Sequence, residues 1–82
     1  MKAIDITRLK EAAQFIQENE KFTTEYNELT ITLSQSKEWL HIGMRWNHNN
    51  YQWGRNLSLE MQRDDNFEYW VFSTLRHMNS RK

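Results

Sequence analysis

The chain predicts an α+β domain with the order α-β-β-β-α. Three features carry that reading: a helical stripe over residues 5–19, three runs of alternating apolar and polar residues after it, and a second helical stripe over 66–78. The three strands form an antiparallel sheet, with its Leu/Ile/Met face under an N-terminal and a C-terminal helix. Its Thr/Ser face stays wet.

In the first segment Ile6, Leu9, Ala12, Ala13 and Ile16 recur at three- and four-residue spacing and line one face. Asp5 is the expected N-cap, since its carboxylate accepts free amide hydrogens of the first turn. Ile4 and Leu9 fit a hydrophobic staple around it. Phe15 falls off the stripe. Asn19 suits a left-handed cap in the run Glu18-Asn19-Glu20. Residues 20–27 take no assignment.

Leu29, Ile31 and Leu33 alternate with Thr30, Thr32 and Ser34, the pattern of a half-buried strand. A polar turn follows at Ser34-Gln35-Ser36-Lys37. Leu40, Ile42, Met44 and Trp46 then alternate with His41, Gly43 and Arg45, and the short connection predicts an antiparallel hairpin. Asn47-His48-Asn49-Asn50 is the next turn. Leu57, Leu59 and Met61 alternate with Ser58, Glu60 and Gln62 as the third strand.

The last segment supports two readings. Phe67, Trp70, Val71, Thr74, Leu75 and Met78 fit a helix, and Asp65 with Glu68 resembles a capping box. Phe67, Tyr69 and Val71 also alternate in a segment of high β-propensity. The helix is preferred. It leaves Tyr69 and Phe72 opposite the core stripe.

Composition bounds the function classes. The 82 residues make a single small domain, 1–82, with one core. Eleven bases balance eleven acids, which argues against a generic polyanion binder. Residues 1–28 are slightly acidic, and Glu11, Glu18, Glu20 and Glu25 read as a solvated face. Residues 29–63 are slightly basic. Cys is absent, which excludes disulfides and thiolate sites. The longest apolar run, Tyr69-Trp70-Val71-Phe72, is far too short to span a membrane. Met1-Lys2-Ala3-Ile4-Asp5 has no apolar signal-peptide core. A soluble, intracellular protein is expected.

His41, His48 and His77 share no i, i+3 or i, i+4 spacing, so no metal site is expected, and Asp64-Asp65 is explained by helix capping. There is no nucleophile elbow, phosphate-cradling glycine loop or zinc-protease motif. No enzyme, cofactor or catalytic residue is expected. Four Trp among eleven aromatics read first as core packing, and any excess beyond what a small core holds reads as a binding surface. Arg45-Trp46-Asn47-His48-Asn49-Asn50-Tyr51-Gln52-Trp53-Gly54-Arg55-Asn56 interleaves rings, amides and arginines. That mixture fits a core hairpin, a protein hot spot or a single-stranded nucleic-acid platform, and the three readings stay open. Protein contact is preferred to nucleic acid because the net charge supplies no electrostatic funnel. The contact is expected on Tyr69 and Phe72, with Arg45, Tyr51, Trp53 and Arg55 as the second choice. A homo-oligomer is also open.

The length, the opening Met1-Lys2-Ala3-Ile4-Asp5-Ile6-Thr7-Arg8-Leu9-Lys10 and the stretch Trp39-Leu40-His41-Ile42-Gly43-Met44-Arg45-Trp46 resemble the lysis inhibition accessory proteins of T-even phages, the cytoplasmic antiholins. The resemblance implies a protein of the host cytoplasm that binds the cytoplasmic N-terminal part of the phage holin and delays lysis. It implies no particular site residues. A phage anti-defence inhibitor or a single-stranded nucleic-acid-binding module is the alternative.

Overall fold

The computed structural model describes residues 5–58 and 66–82. The elements are α1 (Ile6–Phe15), β1 (Lys21–Tyr26), β2 (Leu29–Gln35), β3 (Trp39–Trp46), β4 (Gln52–Ser58) and α2 (Asn66–Ser80). The architecture is α+β, but the antiparallel sheet has four strands, in the order β1-β2-β3-β4, where the sequence predicts three. The added strand, β1, falls in the segment that took no assignment.

Asp5 caps α1 as expected: its Oδ1 accepts from the Arg8 amide at 3.0 Å. The helix stops at Phe15 rather than running to 19, because Ile16 turns extended with φ −65° and ψ 137°. Residues 17–20 then close a turn in which the Gln17 amide donates to Glu20 Oε1 at 2.7 Å. Asn19 is left-handed, with φ 68°, and its amide donates to the Gln35 carbonyl. The early exit places the chain beside β2, where it continues as β1. The staple involving Ile4, the capping box involving Asp65 and the strand positions Leu59 and Met61 lie outside the described residues.

Two residues, Asn27 and Glu28, connect β1 to β2, with φ 47° and 68°. Positive φ at both positions marks the type I′ turn, whose twist matches the flanking strands. The hairpin β2–β3 closes through the Ser36 amide on the Trp39 carbonyl. Leu33 faces Ile42 and Ile31 faces Met44 across that hairpin. The third predicted strand begins earlier than expected, at Gln52, and pairs Met44 with Trp53 and Leu40 with Leu57.

One face of the sheet is covered by both helices. Leu29, Ile31, Leu33, Leu40, Ile42, Met44, Trp46 and Leu57 meet Leu9 and Ala13 of α1 and Phe67, Val71 and Met78 of α2 in one buried cluster. Each fully buried large side chain contributes roughly 1.5–3 kcal/mol. The residues of 66–78 are helical, which settles the strand alternative. The helix layer is fastened at its ends. Lys10 Nζ meets Glu68 Oε1 at 3.0 Å between α1 and α2. The indole of Trp46 is buried against α2, so this residue belongs to the core. Among the described residues, no helix is long and apolar enough to cross a membrane.

Candidate functional site

Two surfaces gather the side chains that the core leaves in water. The first follows α2. Tyr69 is 65% exposed and Phe72 is 43% exposed. They lie three residues apart and are therefore neighbours on the helix surface. The core stripe beneath them is filled by Phe67, Val71, Thr74 and Met78, so neither ring is needed inside. The Tyr69 and Trp70 rings meet in a T-shaped arrangement, with centroids 5.5 Å apart.

The seam between α2 and β4 continues this surface. Register puts Trp53, Arg55 and Leu57 on the helix side of β4. Leu57 is buried, whereas Trp53 remains 42% exposed and stacks on His77 with centroids 4.3 Å apart. The Tyr51 hydroxyl lies 2.7 Å from His77 Nε2. The Arg55 guanidinium sits 4.9 Å above the Trp70 ring, an attractive cation–π geometry. Its Nε is buried without a hydrogen-bond partner among the described residues. Rings and cations thus line one side of α2: Tyr51, Trp53 and His77 at one point, Arg55, Trp70 and Tyr69 at another.

The second surface is the sheet face that no described helix covers. Its side chains form three rows across the strands: Lys21-Ser34-His41-Asn56, Thr23-Thr32-Gly43-Gly54 and Glu25-Thr30-Arg45-Gln52. The middle row is the smallest, so it forms the floor of a trench. The flanking rows are four residues apart, about 13 Å at the backbone from the strand rise. Both glycines of the chain lie on this floor and pair with each other. The His41 ring leans over Gly54, and a Cβ placed there would come 2.7 Å from His41 Cε1. Asn56 Oδ1 holds His41 Nδ1 at 2.8 Å. The open concavity along the trench has a volume of about 390 Å³. Lys21 and Arg45 border it from opposite walls, and Glu25, in the same row as Arg45, accepts from the Thr30 hydroxyl at 3.4 Å on that wall.

The six expected contact residues therefore divide. Tyr69 and Phe72 share the solvent side of α2, and Tyr51, Trp53 and Arg55 lie on the adjoining seam. Arg45 points from the other face of the sheet, because it is one residue out of phase with Met44 and Trp53. Sequence reasoning missed the trench, whose one local signal was that the only two glycines flank the same turn. Among the described residues, no group of three His, Asp or Glu side chains is placed to hold a metal ion. Compared with protein-family models, curated proteins and solved structures, the chain matches none.

Proposed function

We propose that the chain is a non-enzymatic protein-binding regulator that docks its partner on the solvent side of α2. The observation that carries this reading is the exposed pair Tyr69 and Phe72 above a core stripe that is complete without them. Adjacent apolar rings left in water usually mark a contact surface, and Trp, Tyr and Arg dominate such contacts. Arg55, Trp53 and Tyr51 extend the surface along the seam. The resemblance to the cytoplasmic antiholins names the partner as the cytoplasmic N-terminal segment of a phage holin and the place as the host cytoplasm.

Titration of the chain with that holin segment as a synthetic peptide tests the reading. Saturable binding is expected, and Phe72→Ala or Tyr69→Ala is expected to weaken it at least tenfold, as for a hot-spot ring. Binding that is absent, or unaltered by both substitutions, contradicts the proposal.

The trench favours a second reading, a single-stranded nucleic-acid module. Lys21, Arg45 and His41 border the concavity, and Trp39 is exposed on the same face. Such a site mixes cations for phosphate with rings for bases. Titration with single-stranded DNA and RNA at two salt concentrations separates the readings, since phosphate contacts weaken steeply with salt.

A further inference from the structure

The free edge of β1 carries a charge pattern that matches itself. In an antiparallel ladder, alternate residues turn their N–H and C=O groups toward the same neighbouring strand. The two-residue turn at Asn27 and Glu28 makes Tyr26 and Leu29 the hydrogen-bonded closing pair. By the same alternation Phe22 and Thr24 also bond inward to β2. The far end of the hairpin agrees, because the Gln35 amide donates to the Glu20 carbonyl. Lys21, Thr23 and Glu25 therefore turn their backbone groups outward. Among the described residues, none hydrogen-bonds to those outward groups. The side chains of the same three residues all stand on the uncovered face of the sheet and are exposed.

Along the edge these residues read cation, hydroxyl, anion. We propose that β1 pairs antiparallel with β1 of a second copy of this chain, about a two-fold axis through Thr23. Lys21 then opposes Glu25 of the partner subunit, and Glu25 opposes Lys21 of the partner subunit. Opposite charges placed directly across an antiparallel pair attract, and like charges repel. Centring the pair on Phe22 or Thr24 instead sets Lys21 or Glu25 against Thr23 and forms neither ion pair. In-register parallel pairing opposes lysine with lysine. The charges thus select one register and one symmetry, and a two-fold contact closes on itself rather than propagating.

The edge of β4 has no such pattern. By the same alternation it turns Gln52, Gly54 and Asn56 outward, all uncharged. An unpaired edge invites another strand, and charged side chains decide which strand is admitted. Pairing six-residue strands covers less than the roughly 1,600 Å² of a standard interface, so the dimer is weak and dissociates in the micromolar range or above. Its formation joins two four-stranded sheets into one of eight strands, with both helix layers on the same side.

Sedimentation velocity over a wide concentration series, from about 1 µM to about 1 mM, is the first measurement. A reversible monomer–dimer equilibrium is expected, and a chain that stays monomeric throughout overturns the proposal. Thr23→Pro removes an outward N–H without touching an inward bond, a position where an edge strand tolerates proline. It is expected to raise the dimer dissociation constant at least tenfold with an unchanged far-UV circular dichroism spectrum. Dimerisation at wild-type strength by a folded Thr23→Pro chain overturns the proposal. A charge test stands apart from that variant's folding. Lys21→Glu alone and Glu25→Lys alone are each expected to be monomeric, because each opposes like charges. Mixed together, the two chains are expected to form a heterodimer with both ion pairs restored. Single variants that dimerise like wild type, or a mixture that stays monomeric, contradict the Thr23-centred register.

Discussion

The indole Nε1 of Trp46 donates to the carbonyl oxygen of Met78 across 2.6 Å of buried interior. This bond ties the last residue of β3 to the C-terminal half of α2. The same carbonyl also accepts from the Arg81 amide at 3.0 Å, so it keeps a partner when the indole is removed. Trp46→Phe is therefore expected to cost about 1–2 kcal/mol, from one net hydrogen bond plus lost packing. For a domain of this size that lowers the melting temperature by about 5–15 °C, readable by calorimetry. A shift below about 2 °C would show that the bond contributes nothing net.

Glu28 occupies a left-handed position, φ 68°, that glycine adopts more readily. A left-handed L-residue costs roughly 1–2 kcal/mol, and glycine loses part of that gain through its extra chain entropy. Glu28→Gly makes the Asn-Gly pair favoured in type I′ turns. It is expected to raise stability by about 0.5 kcal/mol despite losing the exposed 3.4 Å contact with His48. Urea unfolding with an unchanged m-value checks the sign; a lower midpoint would refute it.

His41 and Gly54 are sterically coupled. A Cβ at residue 54 would meet the His41 ring at 2.7 Å and the Ile42 carbonyl oxygen at 3.1 Å. Gly54→Ala is expected to displace the imidazole and break its contact with Asn56. Combining it with His41→Ala is expected to recover stability, with a coupling energy of about 0.5–1.5 kcal/mol in a double-mutant cycle. Additive effects of the two changes would show that the ring moves aside freely. Gly43→Ala has its nearest neighbour at 3.4 Å and is expected to be tolerated.

Exposure and burial on α2 predict opposite responses. Tyr69→Ala is expected to change stability by less than about 0.5 kcal/mol, because its ring stands outside the core. Phe67→Ala is expected to cost about 3–5 kcal/mol, a large share of the total for a small domain. Parallel thermal melts of the two variants decide this. Near-equal losses would mean that Tyr69 is a packing residue.

Much of this architecture was legible in the residues. Strand β3 alternates cleanly with buried inward positions, β2 buries its apolar trio Leu29, Ile31 and Leu33, and α2 carries its stripe along its whole length. Strand β1 was not legible, since its inward trio, Phe22, Thr24 and Tyr26, is only partly buried and mixes Thr with rings. Its closing turn also uses Glu28 where a glycine would have announced a hairpin. Strand β4 was started too late because its inward position 55 is an arginine, stabilised over Trp70 rather than by an apolar neighbour. The pair Tyr69 and Phe72 followed from helical periodicity alone. The trench is set by the registers of three successive strand pairs, which no local pattern encodes beyond the two glycines that flank one turn.

The strand order β1-β2-β3-β4 has a kinetic side. Each strand pairs only with its sequence neighbour across a short turn, so the sheet assembles through small, low-entropy loops. The helices instead meet through residues as distant as Lys10 and Glu68, 58 positions apart. The expected transition state is thus a central hairpin with the helix layer still loose. Substitutions in Leu9 or Ala13 should chiefly quicken unfolding, whereas substitutions in Ile31 or Met44 should chiefly slow folding. Chevron measurements that place both groups on the same limb would show instead that α1 docks before the barrier, and that the meander does not nucleate by itself.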